Sequence, residues 1–517
     1  MLALVQRIYL FAMRWILIFT VLFTAQVHAQ TTVTMVPPNA RISMEPPARE
    51  FRAAWIATIA NIDWPSSSKL TVEEQKREII YYFDVLKQNN FNAVIVQIRP
   101  AADAFYSSPY EPWSRWLTGK QGLAPMPYYD PLKFMIDEAH KRCIEFHAWF
   151  NPYRALTQKS KNPNPTDHIT RRHPEWFVNY GKSKYFDPGL PQVRSYASKI
   201  IMDVVKRYDI DAVHMDDYFY PYRIGKYQFP DYKSYSRYGT SYASRDDWRR
   251  SNVNTFVQDL SKEIKKAKPY VKFGISPFGV WRNIAKDSVR GSYTNAGQTN
   301  YDDLFADVLL WQENGWIDYL MPQIYWETGH KSADYYTLVR WWDKYSYKRH
   351  VYVGHGAYRL GKTKKPAWQN LDELIYQIDQ TRRLTNIKGS CFYSAKTFRD
   401  NTMGINQRLQ ERTYRRPALL PPMPWIDASP PKKPSAQMRY GGQGVKLISW
   451  QSADQYKEDL QYAVYKMVPY NGSYRKELMA VTRENKFAIT KEEPRVQYAV
   501  SALDRMHNES ALSNRVY

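Results

Sequence analysis

Short apolar runs recur along most of the chain, and each is followed by a segment whose apolar residues have helical spacing. Alternating strands and helices of this kind are typical of βα units, in which the strands pair in parallel. Eight such units over roughly 360 residues predict an α/β fold, a (β/α)₈ TIM barrel with long loops. The predicted strands span 51–59, 92–98, 145–150, 211–215, 272–276, 319–324, 350–354 and 388–393.

The first predicted helix carries its own start signal. Thr71, followed three residues later by Glu74, forms a capping box, and Ile79, Phe83 and Leu86 then fall on one helical face. The same one-sided spacing predicts further helices over 193–204, 253–264 and 371–378.

The longest predicted connections all lie between a strand and the helix that follows it. In this architecture the loops at the carboxyl ends of the strands carry the active site. The long loops therefore mark the face on which a functional site is expected. They span 99–129, 151–190, 218–246 and 278–300.

The composition changes after residue 416, which ends the barrel domain predicted over 48–416. The proline-rich stretch over 417–437 predicts a semi-rigid linker. From residue 438 the chain alternates apolar and polar residues in short runs without a helical pattern. This pattern predicts a small all-β sandwich over 438–517, of immunoglobulin or fibronectin type III kind, with Trp450 in its core.

The N-terminus has the features of a signal peptide. Arg7 and Arg14 precede an apolar run over 15–25, and Val27-His28-Ala29 offers small residues at the positions that a signal peptidase recognises. We expect residues 1–29 to be removed and the protein to be secreted, periplasmic or envelope-associated, with no transmembrane anchor after cleavage. The alternative is an uncleaved N-terminal anchor.

The formal net charge of +23 favours contact with polyanions such as acidic glycans, wall polymers or membrane surfaces. Nucleic acid is the poorest fit among these for an exported chain without a recognisable binding motif. The 17 Trp, 42 Tyr and 21 Phe exceed what a core needs, and aromatic faces stack on sugar rings. The expected partner is a polysaccharide, anionic or built from amino sugars. The alternative is that the basic residues only form a well-solvated surface and bind no polyanion.

The segment 211–222 combines an apolar strand with two adjacent carboxylates, Asp216 and Asp217, and a run of aromatic residues. Because successive side chains on a strand point to opposite faces, one carboxylate faces inward and the other points aside. A carbohydrate-cleaving site can be built in this way. The alternative is structural, with Asp217 starting a turn and Asp216 pairing with one of the arginines.

Glycoside hydrolysis needs two carboxyl groups, one protonated as general acid and one ionised as nucleophile or base. Two neighbouring aspartates raise each other's pKa, which helps to keep one of them protonated near neutral pH. The candidates for the second carboxylate are Glu327, at the end of the sixth strand, and Glu175, in a long loop. Glu175 is alternatively a loop or helix cap.

Metal and cofactor sites are not expected. His214 and Asp216 alternate on one strand, but the sequence has no HxH, HExxH or Cys/His cluster and no glycine-rich phosphate loop. A histidine on a barrel strand is more often a core residue whose nitrogens are paired. The two cysteines, Cys143 and Cys391, lie in core patterns and do not look catalytic.

Ordered sequence blocks along the barrel carry a resemblance to a known family. The chain resembles the family 10-like glycosyl hydrolases, which include bacterial envelope enzymes that cut the glycan strands of peptidoglycan. The blocks are FRAAWIATIANIDWPS from residue 51, NAVIVQIRPAADAFYSS from 92, FHAWFNPYR from 146, HPEW from 173, YFDPG from 185, VHMDDYFYPY from 213, GISPFGVWRN from 274 and DYLMPQIYWE from 318.

The resemblance implies a (β/α)₈ hydrolase that acts on a polysaccharide, with a C-terminal segment similar to a fibronectin type III module. It places Asp216, Asp217, Glu175 and Glu327 in acidic family motifs, so that one aspartate protonates the leaving oxygen and a second carboxylate, Glu327 or Glu175, acts across the ring. The expected substrate-binding residues are Asp63, Trp64, Arg99, Asn151, Tyr153, Arg154, His214, Tyr218, Trp281, Gln323, Tyr325 and Trp326.

These observations predict an exported glycoside hydrolase of an envelope or extracellular polysaccharide, with peptidoglycan strands lacking stem peptides as a candidate substrate. The competing hypothesis is a non-catalytic glycan-binding scaffold on the same barrel, which binds glycan strands without releasing new reducing ends.

Overall fold

A computed structural model describes residues 48–157, 165–440, 445–452, 454, 459–489, 493 and 495–517. The predicted signal peptide over 1–29 lies outside these residues. In the part of the chain that the structure describes, no helix has both the length and the apolar character needed to cross a bilayer.

Eight parallel strands form a closed barrel, which confirms the predicted fold class. Each strand pairs with the next along the chain, and the last pairs with the first. The strands are β1 Phe51–Ile56, β2 Ala93–Arg99, β3 Glu145–Phe150, β4 Ala212–Met215, β5 Lys272–Ile275, β6 Tyr319–Leu320 continuing as Gln323–Ile324, β7 His350–His355 and β8 Ile387–Phe392.

Helices follow the strands and surround the barrel. The predicted capping box of the first helix is present, with Thr71 and Glu74 each bonded to the other's backbone. The main helices are α1 Val72–Gln88, α2 Pro131–Lys141, α3 Pro191–Arg207, α4 Arg245–Ala267, α5 Val308–Glu313, α6 Tyr335–Lys344, α7 Leu371–Arg382 and α8 Ile405–Glu411. Shorter helices lie in the loops, at Arg115–Thr118, Ile169–Arg172, Tyr232–Tyr238, Asn300–Asp303 and Lys396–Arg399.

Strand β1 ends three residues earlier than predicted. The backbone N–H of Ala57 donates to the side chain of Asp63 at 2.8 Å, and the chain then turns through a short 3₁₀ segment, Ile59–Asn61. Ala60 and Asn61 have φ of 55° and 54°, which a continuing strand does not allow. The apolar residues after Ile56 therefore belong to the loop at the top of the barrel.

A hydrogen-bonded chain of buried side chains fills part of the barrel interior. We call Trp55, His214, Tyr319, His147 and Glu145 the axial chain. Trp55 Nε1 lies 3.3 Å from His214 Nε2, and His214 Nδ1 lies 3.0 Å from the Tyr319 hydroxyl. The same hydroxyl is 2.8 Å from His147 Nδ1, and His147 Nε2 is 3.0 Å from Glu145 Oε2. All five side chains are buried.

The predicted linker packs against the base of the barrel instead of spanning open space. Leu420 and Met423 lie in one apolar cluster with Phe51 and Tyr319, which are the first residues of β1 and β6. Leu419 is also buried, on the side that faces the C-terminal domain. The linker residues therefore cover the N-terminal ends of the strands, opposite the long loops.

The C-terminal domain is all-β, as predicted, and its first strand begins at Ser435, three residues before the predicted boundary. Two three-stranded antiparallel sheets pack together, in the orders β9-β10-β13 and β12-β11-β14, with Trp450 in the core. Membership of the fibronectin type III class stays a prediction. The strands are β9 Ser435–Tyr440, β10 Lys446–Gln451, β11 Gln461–Tyr470, β12 Ser473–Thr482, β13 Lys486–Ile489 and β14 Gln497–Leu503.

The second of these sheets is covered on both faces. Tyr462 and Val464 of β11 pack in the sandwich core, whereas Ala463 and Tyr465 pack in a cluster with Leu419 of the linker. Polar contacts reinforce the docking, because His507 Nε2 lies 2.7 Å from Glu145 Oε1 at the base of the axial chain. The C-terminal domain thus sits on the base of the barrel.

Candidate active site

Two buried aspartates stand at the carboxyl end of β4 and point towards different neighbours. Asp216 accepts a hydrogen bond from Asn151 Nδ2, at the end of β3, and another from the backbone N–H of Tyr218 at 3.3 Å. Asp217 accepts hydrogen bonds from the Tyr222 hydroxyl at 2.5 Å and from Gln323 Nε2 at 3.3 Å. The alternation expected of a strand thus separates the surroundings of the two carboxyl groups.

A relay of side chains from β1 to β4 holds Asp216 in place. Gln97 accepts the backbone N–H groups of Thr58 at 3.0 Å and Ile59 at 2.9 Å, so its amide nitrogen must face the other way. That nitrogen donates to Asn151 Oδ1 at 2.6 Å, which leaves the Asn151 nitrogen for Asp216. The orientation of both amides is therefore determined by the backbone.

Burial and mutual charge separate the protonation of the two aspartates. Burial and the neighbouring charge of Asp216 together raise the pKa of Asp217 to about 7. Burial raises the pKa of Asp216 to about 6, against which the positive charge of Arg154 acts. Asp217 is therefore the group that keeps its proton near neutral pH, and Asp216 is the group that ionises first.

Arg154 reaches the site from an insertion in the loop after β3. It lies on the strand Arg154–Leu156, which joins Ser183–Phe186 and Phe177–Tyr180 in a small antiparallel sheet. Its guanidinium carbon is 4.7 Å from the centre of the Tyr218 ring. A cation over a tyrosine face beside two carboxyl groups is suited to hold the hydroxyl or carboxylate groups of a sugar.

Tyrosines from three strand ends form an aromatic wall next to the pair. The Tyr325 and Tyr393 rings are stacked at 6.0 Å, and Tyr358 meets both edge-on at 5.9 and 5.7 Å. Trp55 supports Tyr325 and Tyr393 from within the barrel, at 6.5 and 6.3 Å. We call Tyr325, Tyr358 and Tyr393 the tyrosine wall. Half-buried aromatic faces of this kind are suited to stack on sugar rings.

Asp63 and Trp64, predicted to bind substrate, are core residues of the loop after β1. Both are fully buried. Asp63 accepts from the Ala57 and Lys396 backbone and from the Ser394 hydroxyl, and so joins the ends of β1 and β8. The Trp64 indole donates to a backbone carbonyl of α1 at 2.9 Å. Neither side chain has a group left to present to a sugar.

Arg99 and Tyr153 also lie behind the rim. Arg99 is 1 % exposed and forms a two-pronged pair with Glu111, at 2.8 and 2.6 Å. Tyr153 is 1 % exposed and packs against Phe256 of α4 at 5.3 Å. Arg99 therefore orders the loop after β2, and Tyr153 packs against a barrel helix.

His214, Trp281 and Asn151 are the other predicted binding residues that the structure buries completely, and Asn151 is the one among them that bonds to Asp216. His214 belongs to the axial chain. It lies two residues before Asp216 on β4, and both of its ring nitrogens have hydrogen-bond partners in that chain. Trp281 stacks on Trp341 of α6 at 5.9 Å. The predicted binding residues that stay partly exposed at the rim are Arg154, Tyr218, Gln323, Tyr325 and Trp326.

Glu327 and Glu175 have partners away from the aspartate pair. Glu327 forms an ion pair with Lys365 at 2.5 Å and accepts from the Trp368 indole at 3.2 Å. Glu175 is exposed, on the 3₁₀ turn Pro174–Trp176, and lies 3.2 Å from His173 Nδ1. Hydrogen bonds lower the pKa of both glutamates, although partial burial of Glu327 acts in the opposite direction. Both are ionised near neutral pH, so neither is suited to be the acid.

Four residues of the site were not among the predicted set. Tyr222 bonds to Asp217, Gln97 fixes Asn151, and Tyr358 and Tyr393 complete the tyrosine wall. Tyr222 closes the aromatic run that follows the aspartates, and Gln97 and Tyr393 stand at strand ends, so a complete list of polar and aromatic strand-end residues finds them. Among the residues described, no group of three or more His, Cys, Asp or Glu side chains is placed to hold a metal ion.

Comparison with known proteins gives a consistent result. The sequence profile of the glycosyl hydrolase-like 10 family matches residues 50–370. The chain is 46 % identical over 480 residues to the glycosyl hydrolase YngK of Bacillus subtilis, which covers 90 % of this chain and 93 % of that one. It is 35 % identical over 411 residues to the glycosyl hydrolase DigH of Escherichia coli, covering 74 % and 91 %.

Among solved structures, the glycoside hydrolase domain of PgaB (BpsB) from Bordetella bronchiseptica is similar to this chain. The match has a TM-score of 0.47 and 12 % sequence identity, and it covers 71 % of this chain and 99 % of that one. An α-L-fucosidase from Paenibacillus thiaminolyticus matches with a TM-score of 0.44 and 12 % identity, over 70 % of this chain and 49 % of that one.

Proposed function

Because this chain belongs to the glycosyl hydrolase-like 10 family and is a glycoside hydrolase, we propose that it cleaves an envelope polysaccharide, the glycan strands of peptidoglycan lacking stem peptides. The membership confirms the predicted family resemblance. We propose further that the protein meets this substrate after export, for which the signal-peptide pattern over 1–29 is the support.

The charge of the catalytic face supports an anionic polymer as substrate. The loop after β7, residues 356–370, contains Arg359, Lys362, Lys364 and Lys365 and no acidic residue. Lys362 and Lys364 are exposed at this face. Peptidoglycan strands without stem peptides carry lactyl carboxylates, which such a loop attracts. The tyrosine wall supplies faces for the sugar rings.

The aspartate pair is the observation that carries the proposal, because its two members are prepared for different tasks. Asp217 holds a proton near neutral pH and is the group that donates it to the leaving oxygen. Asp216, ionised and held by Asn151, stabilises the positive charge that develops at the sugar ring. Arg154 keeps Asp216 ionised while Asp217 stays protonated.

The test uses purified peptidoglycan glycan strands freed of stem peptides, with new reducing ends and product masses as the readouts. We expect the wild type to release fragments, and Asp216→Asn and Asp217→Asn each to lose about 10²–10⁴-fold in kcat, the usual contribution of a positioned acid or base.

Glu175→Gln and Glu327→Gln serve as matched controls, because they remove a carboxylate that bonds elsewhere. We expect both to stay within a few-fold of the wild type. Strand binding by the wild type without new reducing ends, or unchanged rates in both aspartate variants, would overturn the proposal. A loss in Glu327→Gln as large as in the aspartate variants would make Glu327 the second carboxylate.

A further inference from the structure

We propose that this enzyme cleaves next to a 2-acetamido sugar and that the acetamido oxygen of the substrate, instead of a second carboxylate of the protein, attacks the anomeric carbon. This inference rests on the proposed function and specifies the chemistry of the same site. It concerns the sugar that occupies the position directly before the scissile bond.

The first reason is the distribution of carboxylates around the cavity. Both aspartates extend from one strand end, and neither Glu327 nor Glu175 contacts them among the described residues, since each is engaged with other partners. Asp63, the other carboxylate at a strand end close by, is fully buried and accepts hydrogen bonds at both oxygens. A glycosidase whose protein nucleophile opposes its acid needs an available carboxylate across the ring, whereas each of these three already bonds to other groups of the protein.

The second reason is the way in which Asp216 is held. One of its oxygens receives Asn151 Nδ2 and the other the backbone N–H of Tyr218. Donors at both oxygens stabilise the charge of a carboxylate and lower its nucleophilicity, which suits a carboxylate that stays ionised and orients another group. Its free lone pairs remain able to accept the N–H of an acetamido group. An acetamido N–H held in this way turns the carbonyl oxygen of the same group towards the anomeric carbon.

The third reason is the apolar surface beside Asp216. Burial raises the pKa of Tyr393, and the nearby charges of Asp63 and Asp216 act in the same direction. Trp55 lies beneath Tyr325 and Tyr393. The rings of Tyr325, Tyr393 and Trp55 together form an apolar surface next to a carboxylate. An acetamido group carries a methyl group and an N–H donor on one planar unit. Its methyl group can pack against this surface while its N–H donates to Asp216.

The reaction balances without any further reactant than water. The acetamido oxygen forms a bond to the anomeric carbon while the bond from that carbon to the leaving oxygen breaks, and the proton of Asp217 passes to the leaving oxygen. The intermediate is a protonated oxazoline whose N–H is held by Asp216. Water then attacks the anomeric carbon and gives a proton to Asp217, and the oxazoline opens to restore the acetamido group. Two displacements leave the anomeric configuration unchanged.

The experiment compares four forms of the same glycan strands with the wild-type enzyme. The strands are used as isolated, after chemical removal of the N-acetyl groups, and after re-acylation of the stripped strands with acetyl or with trifluoroacetyl groups. We expect cleavage of the isolated and re-acetylated strands, and a loss of at least about 100-fold in kcat for the stripped and the trifluoroacetylated strands, comparable with the loss of one catalytic group. The trifluoroacetyl group keeps the shape of the substituent but withdraws electrons from the attacking oxygen.

Two further readouts make the interpretation independent of substrate binding. Proton NMR of the fresh products is expected to show retained anomeric configuration, and intact mass spectrometry of the acid-quenched enzyme is expected to show unmodified protein. Inverted products, or a glycosyl adduct on Asp216, would overturn the inference, as would equal kcat on acetylated and trifluoroacetylated strands. If the wild type cleaves none of the four strands, the proposed function itself fails, which is a different result from equal cleavage of all four.

Discussion

Replacing Asp217 by Asn is expected to make the folded protein more stable than the wild type at high pH, although the same change removes the proposed acid. The folded state raises the pKa of this carboxyl group from an ordinary 3.8 to about 7. A carboxyl group with a raised pKa binds its proton more tightly in the folded protein than in the unfolded one. The contribution of Asp217 to the free energy of unfolding is therefore fully present below pH 3.8 and is lost as pH rises from there towards 7. The amide in Asp217→Asn does not ionise and removes this loss.

The size of the effect follows from the two pKa values. One pKa unit corresponds to 1.36 kcal/mol, so the wild type loses about 1 kcal/mol at pH 4.5 and about 4 kcal/mol at pH 8 from this one group. We therefore expect the stability of Asp217→Asn relative to the wild type to rise by about 3 kcal/mol between pH 4.5 and pH 8. The gain exists because the carboxyl group is almost completely buried, at 1 % exposure, and its neighbour Asp216 carries the same charge.

The assay is urea unfolding of wild type and variant at pH 4.5 and pH 8, followed by tryptophan fluorescence. Any constant change in the hydrogen bonds to Tyr222 or Gln323 cancels when the two pH values are compared. Asp137→Asn, on the outer face of α2 with half of its side chain exposed, controls for the removal of one negative charge. An offset between Asp217→Asn and wild type that is equal at both pH values would refute the reasoning.

Three further predictions concern other parts of the structure. Tyr222→Phe removes a hydrogen bond that lowers the pKa of Asp217, the proposed acid, so the alkaline limb of the kcat profile is expected to move to higher pH. A shift in the other direction contradicts the proposed role. Glu111→Ala leaves the buried guanidinium of Arg99 without its partner and is expected to destabilise the fold by about 3–5 kcal/mol, whereas replacing both residues by Leu and Met recovers most of that in thermal unfolding. His507→Ala removes a buried hydrogen bond to Glu145 and is expected to lower stability by about 1.5–3 kcal/mol without changing kcat on glycan strands; a large kcat change at unchanged stability would contradict a purely structural contact.

The barrel was predictable because its strands and helices follow local rules. Each strand is short, apolar and buried, and Thr71 with Glu74 marks the start of α1 in the sequence itself. The position of Asp216 and Asp217 was predictable for a related reason, since a strand pattern that ends in two carboxylates places them at the rim of the barrel. Tyr218 and Asn151 follow from the same reasoning about strand ends.

The depth of a side chain in the barrel was not predictable from its position in the sequence. His214 lies only two residues before Asp216 and on the same side of β4. A separation of two residues along the strand is nevertheless enough to bury His214 below the rim, in the axial chain. Asp63 and Trp64 follow β1, but the loop folds back and buries them. Pairings with remote loops are equally hidden, because nothing near Glu327 indicates that Lys365 bonds to it.

Two signals in the linker sequence point to different structures. Its prolines predict an extended spacer, whereas Leu419, Leu420 and Met423 are apolar and are stabilised by packing against another apolar surface. The base of the barrel offers that surface. Strand β11 shows the matching signal from the other side, since its apolar residues run on continuously instead of alternating, as expected of a sheet buried on both faces.

The axial chain permits only one arrangement of its protons. The Trp55 indole can only donate, so His214 Nε2 must accept and His214 carries its proton on Nδ1. Tyr319 therefore accepts from His214 and donates to His147 Nδ1, which leaves His147 Nε2 to donate to Glu145.

His214 thus has a defined tautomer, and Glu145 at the base of the axial chain is an anion paired with Lys272. Burial also lowers the pKa of His214 well below its ordinary value. His214 therefore stays uncharged across the pH range in which the two aspartates titrate. The two aspartates at the rim therefore titrate above a histidine that does not change its charge.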